Sequence, residues 1–165
     1  MVKVTLIKKP RPDQIQQCII DFWPDLTPWP GHNPNDDQDT VFKSAMNAPG
    51  HIIFEAQGNE NEPRKGFCLV QLLNKEHVFM LYLLAKEKRK GTGRKIVNEV
   101  LEYAAEKGYK RVSVATEDID KTAVAFYQSM ISEWMELGNQ ADTMHGQSDV
   151  GNGPFAYSKF VFFLP

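Results

Sequence analysis

An apolar run over residues 78–85 leads into Lys86-Glu87-Lys88-Arg89-Lys90-Gly91-Thr92-Gly93-Arg94-Lys95, and an amphipathic segment follows at once. A strand that turns through Gly-x-Gly into a helix aims backbone N–H groups and the positive end of a helix dipole at one spot. Glycine at 91 and 93 lets a ligand approach the backbone closely. The segment therefore reads as a cradle for a phosphate-like anion. Residues 86–95 hold six Lys or Arg and one Glu, whereas the whole chain carries a net charge of -2. A local basic cluster on a near-neutral chain suits a small polyanion and speaks against bulk binding of nucleic acid or an anionic membrane.

With 165 residues, 42% apolar and 24% charged, the chain is expected to be a single domain, 1–165, with a core of its own. Cys18 and Cys68 stand far apart without metal spacing and read as reduced core thiols. His32, His51 and His145 lack ligand spacing too, so no metal is expected. With no secretory leader and no apolar run long enough to span a bilayer, the sequence reads as that of a cytoplasmic protein.

Hydrophobic periodicity predicts a strand over 2–7, then a helix opened by Pro12-Asp13, carrying Ile15, Cys18, Ile19 and Phe22 on one face and ending near Trp23-Pro24. Four prolines between Pro24 and Asn35 forbid regular structure there. A short helix over 37–47 precedes three antiparallel strands over 51–57, 65–73 and 77–85. A helix over 92–107 closes with Lys107 and Gly108 and leads to a strand at 111–115, which a right-handed crossover places parallel to its predecessor. A helix over 120–130, a strand at 133–137, a polar glycine-rich loop at 138–153 and a last strand at 155–163 complete the expectation.

This order of elements, with Gly-x-Gly after the fourth strand, resembles the GNAT superfamily of acetyl-CoA-dependent N-acetyltransferases. Lys88-Arg89-Lys90-Gly91-Thr92-Gly93 is similar to the family's Gln/Arg-x-x-Gly-x-Gly/Ala, with lysine in the first place. Asp120-Lys121-Thr122-Ala123-Val124-Ala125-Phe126-Tyr127 is similar to Asn-x-x-Ala-x-x-Phe/Leu-Tyr, with Asp for Asn. The family continues Tyr-x-x-Leu-Gly-Phe, but here Gln128-Ser129-Met130-Ile131-Ser132 follows Tyr127, without the glycine. The resemblance implies an α/β (α+β) fold: a mixed, mostly antiparallel sheet of about seven strands, strands four and five parallel and splayed, flanked by about four helices.

It also implies acetyl-CoA as co-substrate. The pyrophosphate would lie on Lys88, Arg89, Lys90, Gly91, Thr92, Gly93 and Arg94, with Asp120 nearby, and the pantetheine arm along Leu81, Tyr82 and Leu83. The Leu83 N–H is the implied oxyanion donor and the Tyr127 phenol the implied general acid. For the base, strand parity points to His77, which shares its side with Leu81 and Leu83 in a regular strand. The acceptor is expected between the first two helices and the loop between strands six and seven, with Trp23, Trp29, Asp36 and Asp37 touching it. Aspartates at 21, 25, 36, 37 and 39 favour a small cationic amine such as a polyamine or an aminoglycoside, though acidic residues before a helix also serve its dipole. Acetylation of a protein lysine or N-terminus is the alternative within this chemistry. A non-catalytic CoA-binding or interaction module is the alternative outside it. Relatives are often dimers, and the long last strand could pair across such an interface.

Overall fold

The computed structural model describes residues 2–26, 37–59, 61–87, 90–148 and 155–165. Seven strands form one sheet in the order β1-β2-β3-β4-β5-β7-β6. They are β1 (Lys3–Ile7), β2 (Gly50–Gln57), β3 (Gly66–Leu72), β4 (His77–Ala85), β5 (Arg111–Glu117), β6 (Ala141–Ser148) and β7 (Phe155–Phe163). Four helices accompany them: α1 (Pro12–Leu26), α2 (Gln38–Ala45), α3 (Thr92–Glu106) and α4 (Lys121–Glu136). Neighbouring strands are antiparallel except β4 and β5, which run parallel as the crossover rule requires. Among the described residues no helix is long and apolar enough to cross a membrane.

Each face of the sheet has its own core. Ile52, Phe54, Ala56, Cys68, Val70, Val78 and Met80 pack against α3 and α4 through Ile96, Val97, Val100 and Tyr127. Ile53, Phe67, Leu69 and Leu84 pack on the other face against Ile15, Cys18, Ile19 and Phe22 of α1 and Ala45 of α2. The alternation of residues 52, 54 and 56 against 53 on β2 is the two-residue period of a strand covered on both sides. Both cysteines are buried and unbridged, and burial pushes the Cys18 thiol up to about 11.

The stretch after Tyr127 departs from expectation. Residues 133–137, expected as a strand, continue α4 to Glu136, because Met130, Ile131 and Trp134 fall on its inner face with helical spacing. Without a glycine after Tyr127, the helix runs until Gly138 accepts a positive φ of 90° just past the C-cap Leu137. Strand six then lies at Ala141–Ser148, inside the stretch expected to be loop. Its sequence is polar, yet eight residues register against β7. An edge strand wants polar residues, so the composition that resembles a loop is that of a protected edge. Helix α1 also runs two residues beyond Pro24, whose missing N–H falls in the last turn.

Candidate active site

β4 and β5 pair in register only from His77↔Arg111 to Met80↔Val114. Beyond that they separate, and the β4 edge over residues 81–85 presents backbone groups without a strand beside them. The cause lies partly in β4 itself: its register with β3 shifts between Leu69↔Tyr82 and Val70↔Met80, so Leu81 is an extra residue in a bulge. A bulge bends and twists its strand.

The separation opens a cleft of about 1390 Å³. Leu81, Tyr82, Leu83, Leu84 and Ala85 form one wall, and Val114, Ala115, Thr116 and Glu117 the other. At one end stand Glu87, Gly91, Thr92, Gly93 and Arg94, and Tyr127, Phe126 and Asp120 come from α4. Phe22 and Asp25 of α1 and Gln147 and Tyr157 of the β6–β7 hairpin complete the lining. Phe22 and Tyr127 belong to cores on opposite faces of the sheet, so the opening passes through the sheet.

At the turn, Gly91 is the N-cap of α3 with φ 77° and offers no capping side chain. The first N–H groups of α3 therefore lack intrahelical partners at the cleft wall, an anion site built of backbone. A Cβ at Gly91 would meet nothing within 4 Å, and one at Gly93 would touch only the Phe126 ring at 3.5 Å. The glycines thus leave room in front of the backbone, and the cleft exceeds the usual volume of small-molecule pockets. Both features fit a long, phosphate-bearing co-substrate. Arg94 lines the cleft, but its guanidinium donates to Glu133 and, at 3.5 Å, to Ser129 of α4. Lys90 is exposed beside the turn. Lys88 and Arg89 lie outside the described residues.

Tyr127 is 6% exposed, packed edge-on to Phe126 and tilted against Phe160. Burial, reinforced by Cys68 and Asp120, raises its phenol well above the usual tyrosine range. It stays protonated at neutral pH and so has a proton to give. Asp120 caps α4, accepting from the Ala123 N–H at 3.1 Å, which aims the helix start at the cleft.

His77 is not brought to the site. The bulge at Leu81 inverts strand parity, so His77 lies on the face of Tyr82 and Leu84, away from Leu83, and it does not line the cleft. Its ring shares a 2.5 Å hydrogen bond with Ser113. Burial, then Arg111 and Lys159, lowers its pKa to about 4. Asp37 does not line the cleft either: it is the N-cap of α2 and accepts from the Thr40 N–H at 2.8 Å. Trp23 packs against the core beneath α1. Trp29 and Asp36 lie outside the described residues. Conversely, the fold brings in Glu117, Gln147 and Tyr157, which no motif marks; they reach the cleft only because β7 lies beside β5, with Glu117 opposite Tyr157.

A mixed sheet split between its parallel pair, with a glycine turn and a helix N-terminus at the opening, defines an acyl-CoA-dependent transferase. The chain belongs to the acetyltransferase (GNAT) family, whose model matches residues 15–130. It is accordingly an acetyl-CoA-dependent N-acetyltransferase. No curated protein sequence matches it. Among solved structures it is similar to the ribosomal-protein-S18-alanine N-acetyltransferase from Escherichia coli, at 11% identity and a TM-score of 0.62 over 98% of this chain and 94% of that one. It is also similar to Arabidopsis thaliana NAA60 in complex with a bisubstrate analogue, at 16% identity and TM-score 0.63 over 99% and 100% of the two chains. A GNAT family acetyltransferase from Elizabethkingia anophelis with acetyl-CoA bound matches at 12% identity and TM-score 0.59 over 99% and 97%. At these identities the likeness is one of fold.

Proposed function

We propose that the protein transfers acetyl from acetyl-CoA directly to the primary amine of a small cation, such as a polyamine or an aminoglycoside, without an acyl-enzyme. The carrying observation is the charge of the cleft. Among its described lining residues stand four carboxylates, Asp25, Glu87, Glu117 and Asp120, and one cation, Arg94, which is already paired with Glu133. An acidic cleft raises the local concentration of a cationic acceptor. Tyr82, backed by the stacked ring of Phe22 at 4.5 Å, and Tyr157 bring aromatic rings to the cleft on which such a cation can rest.

In this reading the backbone N–H groups of residues 91–94 hold the pyrophosphate, and the β4 edge over residues 81–83 holds the pantetheine arm. Lys88, Arg89 and Lys90 screen the phosphates from the turn. The Leu83 N–H stabilises the oxyanion of the tetrahedral intermediate, a contribution of about 3 kcal/mol for a well-placed donor. The Tyr127 phenol protonates the departing thiolate. Both cysteines are buried, and neither lines the cleft, which supports attack by the amine itself.

Calorimetric titration with acetyl-CoA tests the cofactor site, comparing wild type with a Gly91→Asp/Gly93→Asp variant. Both positions have room for a side chain, Gly91 at a cost of about 1 kcal/mol for its left-handed φ of 77°, so the melting temperature is measured alongside, while two carboxylates at the phosphate site weaken binding by about 10²-fold or more. CoA release with spermidine, putrescine, an aminoglycoside and a lysine peptide then tests the acceptor. Turnover of the peptide alone would replace the small amine by a protein.

A further inference from the structure

We infer that Glu117 takes the proton from the acceptor ammonium, acting from the face of the sheet opposite Tyr127. The inference rests on the cationic-amine reading above, because only an acceptor that arrives protonated needs such a group. A primary amine of this kind is mostly ammonium at neutral pH, and its lone pair becomes nucleophilic only when a proton leaves.

Four carboxylates line the cleft among the described residues, and their settings differ. Asp120 is engaged at the N-terminus of α4 by the Ala123 N–H. Glu87 stands beside Gly91 at the anion end, 57% exposed, with Lys65 3.9 Å away. Asp25 is exposed at the C-terminal end of α1. Glu117 alone sits on a wall of the split, three residues past the last β4–β5 pair at Val114. It is partly buried, with its Oε2 shielded from solvent.

Its direction follows from register. β5 pairs with β7 without a shift from Arg111 to Glu117, so alternation holds throughout. Val112 and Val114 face α3 and α4; Ser113, Ala115 and Glu117 face the side covered elsewhere by α1. Tyr127 approaches from the α4 side. The split therefore has a carboxylate on one face and a phenol on the other, with the β4 edge between them. The described charged and titratable groups that line the cleft with Glu117 are Asp25, Glu87, Asp120, Arg94 and Tyr127, and Tyr157 stands opposite it on β7.

The proton balance closes. Glu117 accepts one proton from the ammonium and returns it to solvent. The freed amine forms the new C–N bond, the carbonyl π pair moves to oxygen, and collapse breaks the C–S bond. Tyr127 gives its proton to the thiolate and regains one from the nitrogen of the adduct.

The test measures kcat/KM for spermidine from pH 6.5 to 9.5 in wild type, Glu117→Gln and Glu117→Asp, with acetyl-CoA affinity and melting temperature as controls. Glu117→Gln should lower kcat/KM by about 10³-fold near pH 7, with acetyl-CoA affinity unchanged. The deficit should shrink by about tenfold per pH unit, as solvent supplies the neutral amine instead. Glu117→Asp should regain part of the rate. A deficit that stays constant with pH, or a Gln variant within about threefold of wild type at pH 7, overturns the role of Glu117 while leaving amine acetylation standing. A wild type that binds acetyl-CoA but acetylates no cationic amine overturns the reading on which this role depends.

Discussion

Tyr127 and His77 show how little a residue's identity says about its task until its surroundings are known. Both are buried and both can move protons. Tyr127 faces the cleft, and burial keeps its proton on; Tyr127→Phe should cut kcat by about 10²-fold or more in a CoA-release assay while acetyl-CoA affinity stays within a factor of about two. Its ring packing against Phe126 and Phe160 is retained, so the fold should survive. His77, held neutral with a pKa near 4, should instead report in stability. Below pH 6.5 the unfolded chain binds a proton that the folded one refuses, so His77 contributes a loss of stability as pH falls from 6.5 to 4, on the order of 2 kcal/mol. Urea unfolding at pH 7 and pH 4.5 should show a shallower decline for His77→Gln, with turnover at pH 7 near wild type. The place of Tyr127 at the cleft was legible because it closes a motif. His77 was misjudged because parity assumes a regular strand, and one inserted residue at Leu81 reverses it.

Elements were legible wherever a period and a punctuation mark coincided. α3 begins at Thr92 after the left-handed Gly91, and of the apolar face that the spacing predicts, Ile96, Val97, Val100, Leu101 and Ala104 are buried while Ala105 is exposed. α4 shows the opposite case. Glu133-Trp134-Met135-Glu136-Leu137 is a short, mostly apolar run read as a strand, yet Met135 and Leu137 are exposed and only Trp134 turns toward the core. The helical register set by Met130 and Ile131 prevails because continuing a helix costs less than starting a new element. Gly138 is what stops it. With no atom within 4 Å of a Cβ at that position, Gly138→Ala should cost stability through backbone conformation alone, about 1 kcal/mol, read as a lower urea midpoint with an unchanged slope.

For the whole molecule, the site is a property of the sheet's connectivity. Parallel neighbours β4 and β5 can diverge because no hairpin ties their C-terminal ends, and what fills the gap comes from α1, α3, α4 and the β6–β7 hairpin. By itself the sequence determined the alternating strands, the amphipathic helices, the crossover that makes β4 and β5 parallel, and the glycine turn that opens α3. These depend on local periodicity, on residues whose conformational range is special, and on handedness that every L-chain shares. Only the tertiary structure decided that Leu81 is a bulge, that a polar stretch is an edge strand, and that Asp25, Glu117 and Tyr157 line the same opening as Tyr127. Those facts arise from pairing between residues far apart in the chain, and a long-range contact leaves no periodic signal in either of the segments that make it.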